Sequence, residues 1–215
     1  MLQFPFDHLF LNREIMEAII FDIDGTLVES EEADASLYIM AVKEVMGDVQ
    51  FREEWDDYPD VTDTGILKTL FDDNEIEPED EIVTAIHDHF VILLEEHIQQ
   101  VAPFSPIHGA VDFVDDLQQS PDHQIAFATG GWRASALLKL HSAGFATDQL
   151  VLASANDHHE RVQIMLQALR HLGEHFDQVT YYGDGHWDER ATESLGWQFM
   201  PVGPKLGGLT EYVIE

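Results

Sequence analysis

The chain has 215 residues, of which 45% are hydrophobic and 24% charged, and it contains no cysteine. These values are typical of a globular protein with one domain, or one domain plus an insertion, and the lack of cysteine excludes disulfides and thiolate sites. Ten basic residues against 42 acidic ones give a formal net charge of −32, which disfavours binding to nucleic acids and to anionic membranes. We therefore expect a cytoplasmic protein with no nucleic-acid partner and no membrane partner.

The acidic residues are spread along the chain rather than collected in a tail. Adaptation to high salt, where screening relieves the self-repulsion, is one interpretation of this pattern. High solubility alone is the other, and composition does not separate the two.

Short apolar runs that stop at polar or turn residues predict buried parallel strands. They occupy residues 18–21, 124–128, 149–153, 178–182 and 197–202. Helical patterns at 132–143, 161–172 and 188–195 lie between the later runs. This alternation predicts an α/β, Rossmann-like fold, with a parallel sheet of five or more strands covered by helices on both faces.

The interval between the first and second predicted strands is too long for a simple crossover. It spans about a hundred residues, whereas a βαβ unit needs only about thirty. Helical patterns fill it at 34–46, 63–71 and 78–94, and the proline-rich segment 101–106 is typical of a linker. We predict a helical cap at 30–104, inserted into an α/β core formed by residues 1–29 and 105–215.

Acidic residues follow the first and fourth predicted strands at the point where each strand ends. Asp22 and Asp24 follow the first strand, and Asp184 and Asp188 follow the fourth. Because ligands bind at the carboxyl ends of parallel strands, these side chains are expected to meet in one crevice. Four carboxylates there would repel one another without a cation, and oxygen ligands of this kind suit Mg²⁺.

The second strand ends in Thr129, which is followed by Gly130, Gly131 and a predicted helix. A threonine at this position could simply satisfy the end of the strand. With two glycines and a helix N-terminus after it, its hydroxyl and the neighbouring backbone N–H groups also predict a phosphate site.

These motifs together resemble the haloacid dehalogenase-like superfamily, in the branch with a helical cap inserted after the first motif. The D-x-D-G-T motif stands at Asp22–Thr26, the apolar strand ending in Thr at Ile125–Thr129, and the G-D-x-x-x-D motif at Gly183–Asp188. The resemblance extends from Ala18 to Val202. It departs from the family where a lysine is usual before the helix after the third strand. Arg161 is the best match there, and it keeps the charge but not the geometry of lysine.

The resemblance implies a division of labour. Asp22 would attack phosphorus and form an aspartyl phosphate, and Asp24 would act as general acid and then as general base. Mg²⁺ would be held by the Asp22 carboxylate, the Asp24 backbone carbonyl, Asp184 and Asp188. Thr129, Gly130 and Arg161 would bind the phosphate. The resemblance therefore implies a phosphatase that acts on a small phosphate ester, as a monomer or homodimer.

Several alternatives stay open at this point. A dehalogenase is disfavoured because dehalogenase relatives lack an acid at the position of Asp24, since a halide leaves without a proton. A sugar phosphomutase would share every core motif, and a phosphonatase would need a cap lysine, for which Lys43 and Lys68 are the two candidates. A protein that only binds a phosphorylated ligand would be expected to have lost an acid of the first motif.

The cap contributes weaker candidates. The family resemblance implies that cap loops touch the substrate, which makes Thr62, Asp63 and Lys68 candidates, although Asp63 is more simply predicted to cap the following helix. Trp132 and Trp187 follow the second and fourth motifs and are predicted to lie either in the core or at the rim of the pocket.

Overall fold

The computed structural model describes residues 16–173 and 175–213. Within these residues one parallel sheet is formed by β1 (Glu17–Phe21), β2 (His123–Ala128), β3 (Leu152–Ala153), β4 (Gln178–Gly183) and β5 (Gln198–Pro201). The helices are α1 (Glu31–Met46), α2 (Asp63–Asp73), α3 (Asp80–Gln100), α4 (Ala110–Gln119), α5 (Arg133–Ser142), α6 (Arg161–Leu172) and α7 (His186–Leu195). The predicted α/β class with a five-stranded parallel sheet is confirmed. The first fifteen and the last two residues of the predicted core lie outside the described part of the chain.

The strand order β3-β2-β1-β4-β5 places β1 at the centre of the sheet. Phe21, the last residue of β1, is in register with Phe127 of β2 and with Tyr182 of β4. The carboxyl ends of three strands therefore reach the same edge, and the chain leaves β1 between two strands that follow it in sequence. This is the topological switch point at which open α/β sheets bind ligands.

The strands are apolar because both faces of the sheet are covered. Phe21 packs on one face within 4.8 Å of the Tyr182 ring, measured between ring centroids. Ile20 belongs to the cluster on the opposite face, together with Tyr181 and Met165 of α6. Neighbouring strand residues point to opposite faces, so burial on both sides requires a continuous apolar run.

Two details differ from the predicted elements. β3 has two residues instead of the predicted five: it pairs with β2 through Leu152 and Ala153, and Gln149 has a positive φ of 67°, which is incompatible with an extended strand. The sequence analysis also missed α4. Gly109 precedes this helix in a left-handed conformation, and Ala110 and Val114 are buried one turn apart.

The helices α1, α2 and α3 lie between β1 and β2, inside the predicted cap; the boundaries of the cap stay a prediction. They do not form an isolated body, because Tyr38 of α1 and Phe90 of α3 both pack against Trp132 at the start of α5. The ring centroids of Tyr38 and Phe90 lie 5.7 and 6.1 Å from that of Trp132. None of the described helices is long and apolar enough to cross a membrane.

Candidate active site

Three buried carboxylates converge at the carboxyl edge of the sheet. Asp22 directly follows β1, Asp184 directly follows β4, and Asp188 lies in the first turn of α7. One oxygen from each lies within 4.8 Å of the other two. We call these three residues the carboxylate cluster. Its geometry follows from the sheet, since the backbone N–H of Asp22 donates to the carbonyl of Tyr182 at 2.9 Å and holds the two strand ends together.

The carboxylate cluster is electrostatically unfavourable when fully ionised. Burial raises the pKa of Asp22 well above its usual range, and the nearby Asp188 adds to this effect. Burial, followed by the charge of Asp188, also raises the pKa of Asp184 to about 8. A divalent cation would relieve this repulsion. The donors are all carboxylate oxygens, the ligand type that Mg²⁺ prefers, so the residues present fit such a metal.

Gly25 of the first motif makes room for the carboxylate cluster. Its φ is +73°, and a Cβ added there would lie 2.4 Å from Oδ2 of Asp184. Both the left-handed conformation and the close approach require glycine. The D-x-D-G-T turn therefore lets the backbone after β1 approach the end of β4.

Arg161 is the buried cation of the carboxylate cluster. Its Nη1 donates to Oδ1 of Asp188 at 2.8 Å and lies 3.3 Å from Oδ1 of Asp22, and its Nη2 donates to the carbonyl of Val61 at 3.0 Å. Its Nε is buried and makes no hydrogen bond to the described residues. The structure thus brings Arg161, the residue predicted in place of the usual lysine, to the candidate nucleophile.

Thr129 and Gly130 lie at the end of β2 beside Arg161. The Thr129 hydroxyl accepts a hydrogen bond from the Gly131 N–H at 3.0 Å, and both residues line the cavity described below. A Cβ on Gly130 would lie 2.4 Å from Nη2 of Arg161. Glycine at 130 therefore allows the guanidinium to lie against the backbone at the predicted phosphate site.

The Asp24 side chain is directed away from the carboxylate cluster. Its Oδ1 accepts a hydrogen bond from the Ser30 hydroxyl at 2.5 Å, and Nζ of Lys139 lies 2.6 and 2.7 Å from its two oxygens. The cluster of possible metal ligands does not include its carboxylate. The expected contribution of Asp24 through its backbone carbonyl stays a prediction.

Lys139 is a site residue that the sequence analysis missed. It lies on α5, its side chain is fully buried, and its Nζ also donates to Asp34 of α1 at 2.5 Å. Burial alone would lower the pKa of Lys139, but the carboxylates of Asp24 and Asp34 outweigh this effect and raise it. Asp34 is itself so buried that its pKa is raised to about 6 despite its lysine partner.

The signal for Lys139 was present in the helical pattern of α5. Ala136 and Leu140 are fully buried, and Lys139 shares the face of the helix that they form. A lysine on an apolar face requires a buried acidic partner. The pattern could therefore have predicted a buried ion pair, but not the identity of the acidic partner.

A loop of the cap is bonded to the core at the edge of the site. Thr62 donates its hydroxyl hydrogen bond to the carbonyl of His159 at 2.6 Å, and the Asp63 N–H donates to the carbonyl of Gly130 at 2.8 Å. The Trp132 N–H in turn donates to Oδ2 of Asp63 at 2.8 Å. These hydrogen bonds hold the loop before α2 against the core at the edge of the site.

Two predictions for this loop need correction. The Thr62 hydroxyl, which accepts from the Gly65 N–H at 3.0 Å, caps α2, and Asp63 is the first residue of that helix. Asp63 is buried because it binds Trp132 instead of the helix end. Lys68 is exposed, with its Nζ 3.4 Å from a ring nitrogen of His159, and it does not line the cavity. Trp132 is buried and Trp187 lines the cavity.

A cavity of about 100 Å³ lies between the carboxylate cluster and the cap. The core contributes Asp22, Asp24, Thr129, Gly130, Gly131, Arg161, Asp184 and Trp187 to its lining, and the cap contributes Glu31, Asp34, Ala35, Tyr38, Trp55, Val61, Thr62, Asp63 and Ile66. A ligand held at the carboxylate cluster would therefore touch the cap with its other end.

Comparison with known proteins places this site in a family. The fold is similar to that of a hydrolase from Pseudomonas syringae (TM-score 0.68, 20% identity, covering 86% of this chain and 83% of that one). It is also similar to β-phosphoglucomutase from Clostridium difficile (TM-score 0.68, 16% identity, 93% and 91%) and to CbbY from Rhodobacter sphaeroides in complex with xylulose-(1,5)bisphosphate (0.59, 18%, 90% and 92%). No curated protein sequence matches the chain significantly. The model of the haloacid dehalogenase-like hydrolases matches residues 16–196, and the chain belongs to this family.

Proposed function

We propose that this protein is a Mg²⁺-dependent phosphohydrolase that cleaves a small phosphate monoester through an aspartyl phosphate on Asp22. One observation carries the proposal: a buried carboxylate at the switch point of the sheet, Asp22, lies within reach of two further carboxylates and of Arg161. This combination supplies a nucleophile, a hard-metal donor set and an anion-binding cation at one point.

The first step forms the bond between an Asp22 carboxylate oxygen and phosphorus and breaks the bond between phosphorus and the ester oxygen. Asp24 delivers a proton to the departing oxygen, and it then accepts a proton from the water that hydrolyses the aspartyl phosphate. Ser30 and Lys139, which bond to its carboxylate, hold Asp24 in one orientation for both transfers.

The phosphoryl group would be bound by residues at the ends of β1 and β2 and at the start of α6. The Thr129 hydroxyl, the Gly130 backbone and the Arg161 guanidinium stabilise its equatorial oxygens. Asp22, Asp184, Asp188 and the Asp24 carbonyl would hold Mg²⁺, which supplies charge neutralisation and orientation to the phosphoryl group when bound.

The names of the similar proteins support a phosphorylated metabolite as the substrate, since two of them specify a phosphosugar mutase and a bisphosphate complex. The closed cap supports this interpretation as well, because a cavity of about 100 Å³ excludes polymers and leaves space for a small molecule. The acidic, cysteine-free composition supports a cytoplasmic location.

The direct test is phosphate release by the purified protein. We expect hydrolysis of p-nitrophenyl phosphate in Mg²⁺, loss of activity in excess chelator, and recovery when Mg²⁺ is added back. Full activity in excess chelator would contradict the proposed role of the carboxylate cluster.

A further inference from the structure

The cap side of the cavity is acidic. Glu31, Asp34 and Asp63 line it, and the remaining side chains that face the cavity from the cap include Tyr38, Trp55 and Ile66. We call these six residues the cap wall. The part of a bound ester that extends beyond the phosphoryl group would lie against this wall.

None of the lysines and arginines in the described residues of the cap lines the cavity. Lys43 is exposed and lies 5.8 Å from the centroid of the Phe51 ring. Arg52 is paired with Asp73 at 2.8 Å, and Lys68 is exposed beside His159. The cap therefore presents carboxyl groups and aromatic surface to the ligand, without a basic side chain.

Among the described residues of the core, the basic side chains at or beside the cavity are likewise all paired. Arg161 is committed to Asp22 and Asp188, where a phosphoryl group would bind. Lys139 is sealed beneath Asp24 and Asp34 with no exposed side-chain surface. Lys205 lies at the rim, where it is half exposed and pairs with Glu31 and, at 3.9 Å, with Asp184.

We infer that the substrate of this enzyme is a small phosphate monoester whose alcohol part carries no second anionic group and is either uncharged or cationic. The inference rests on the proposed function. An additional carboxylate or phosphate on the alcohol would lie beside the carboxyl groups of Glu31, Asp34 and Asp63, with no basic side chain of the cap to compensate its charge.

The composition of the cap wall also favours an alcohol part that is uncharged or cationic. Tyr38 and Trp55 offer aromatic surface to an alkyl chain or to an ammonium group, and the neighbouring carboxylates would attract the latter. The inference separates this chain from its relative that is named in complex with a bisphosphate. It also disfavours a mutase that passes through a bisphosphorylated sugar.

The experiment compares three esters that share a two-carbon skeleton and differ in the charge at its far end: ethanolamine phosphate, 2-hydroxyethyl phosphate and 2-phosphoglycolate. Phosphate release is measured with the wild-type protein in Mg²⁺ at low salt. We expect kcat/KM for 2-phosphoglycolate to be at least about tenfold below that for 2-hydroxyethyl phosphate, and ethanolamine phosphate to be at least as good as the latter. Equal or better use of 2-phosphoglycolate would overturn the inference.

A pair of variants at Ala35, which lines the cavity from α1, tests whether charge is the cause. Ala35→Lys adds a cation to the cap wall, and Ala35→Gln adds a side chain of comparable length without charge. We expect the ratio of kcat/KM for 2-phosphoglycolate to that for 2-hydroxyethyl phosphate to be at least about fivefold higher in Ala35→Lys than in Ala35→Gln. Equal ratios in the two variants would overturn the electrostatic explanation.

p-Nitrophenyl phosphate distinguishes the two levels of failure. Hydrolysis of this ester without discrimination among the three two-carbon esters would overturn the inference alone. No phosphate release from any of the four esters in Mg²⁺ would overturn the proposed function, and the inference with it.

Discussion

Two buried basic residues, Arg161 and Lys139, each compensate the charge of two carboxylates, on opposite sides of the site. Arg161 binds Asp22 and Asp188 at the end of the sheet, while Lys139 binds Asp24 and connects it to Asp34 of the cap. The Arg161 side chain is 10% exposed and lines the cavity, whereas that of Lys139 is fully buried behind the carboxylates that it binds.

This difference in exposure between the two cations explains how one crevice can hold two nearby aspartates in different roles. Asp22 shares its cation with a surface that a ligand and a metal can reach, so its partners can change during a reaction. Asp24 is bonded to a lysine that no ligand can reach, so its orientation is fixed by the fold. Variants of these residues can test the difference between the Arg161 side and the Lys139 side of the site.

The largest effect is expected from replacing each of the two acids of the first motif by asparagine. Asp22→Asn should lower turnover by about a thousandfold or more, because no nucleophile is left to form the covalent intermediate. Asp24→Asn should be impaired mainly in the second step with an aryl phosphate, since general base catalysis contributes about 10²–10⁴-fold. Rapid-quench mass spectrometry should then detect a phosphoryl adduct on Asp24→Asn and none on Asp22→Asn.

Metal binding must be measured for both variants, because loss of Mg²⁺ would imitate loss of the nucleophile. Turnover of Asp22→Asn near the wild-type rate would show that the nucleophile assignment is wrong. Direct attack by a water molecule would then replace the covalent step.

Removal of each buried cation should destabilise the protein by a similar amount but with different responses to Mg²⁺. Arg161→Met leaves the buried Asp22 and Asp188 without their cation, and breaking such pairs costs about 3–5 kcal/mol. Lys139→Met does the same to Asp24 and Asp34, whose side chains are partly exposed. Mg²⁺ should restore part of the free energy of unfolding in Arg161→Met, because Asp22 and Asp188 belong to the carboxylate cluster. It should stabilise Lys139→Met no more than it stabilises the wild type, because the carboxylate cluster is intact in both. Urea denaturation with and without Mg²⁺ measures both effects.

Arg170→Met, at a position near the end of α6, is the matched control for loss of a surface arginine and should change stability little.

The double variant Lys139→Met, Asp34→Asn should be more stable than the sum of the two single changes predicts. Each change removes the group that the other change would leave buried without a partner. Equal responses to Mg²⁺ in Arg161→Met and Lys139→Met would contradict the separation of the two sides.

The pH dependence of stability should distinguish the two sides with a smaller effect. The pKa of Asp184 is raised from 3.8 to about 8 and that of Asp34 to about 6, so the folded protein binds more protons than the unfolded one above pH about 4. Each group therefore stabilises the fold at low pH and loses this contribution as the pH rises through its folded pKa. The slope is at most about 1.4 kcal/mol per pH unit for each proton.

Mg²⁺ should flatten the part of this dependence between pH about 6 and 8, because the metal replaces the proton on Asp184. It should change the part between pH about 4 and 6 less, because Asp34, which also contributes there, lies outside the carboxylate cluster. Asp184→Asn should reduce the slope in both parts without added metal, whereas Asp63, whose pKa is raised by burial, keeps a contribution that does not depend on the metal. Chemical denaturation across this range checks the prediction, and equal slopes above pH 6 with and without Mg²⁺ would contradict it.

Much of the fold could be predicted because the signals are local. An apolar run such as Ala18–Phe21, buried on both faces, is visible without knowledge of its partners, and so is the i+4 repeat of Ile86, Phe90 and Leu94. The placement of Asp22 and Asp184 followed from the rule that parallel strands end at one edge. The shortening of β3 could not be derived, because it depends on the backbone conformation of Gln149.

The partners of Asp24 could not be predicted for a different reason. Lys139 lies 115 residues from Asp24 and 105 from Asp34 along the chain, and its pairing depends on where the fold places α5 relative to α1 and to the end of β1. The acidic cap wall is equally hidden, because Glu31, Asp34 and Asp63 are unremarkable in a chain with 42 acidic residues. Their shared role is visible only in the structure, where all three line one cavity.

The sequence by itself determined the order of the five strands, the helices inserted after the first strand, and the family. Each of these depends on short-range patterns of burial, on glycine turns and on residues that end strands. The tertiary structure alone decided which cation binds which carboxylate, that the cap loop at Thr62 and Asp63 closes on the core, and that the far end of the cavity is acidic. The physical reason is that charge pairing and cavity lining depend on distances between side chains far apart in the chain, which are set when the cap packs against the sheet.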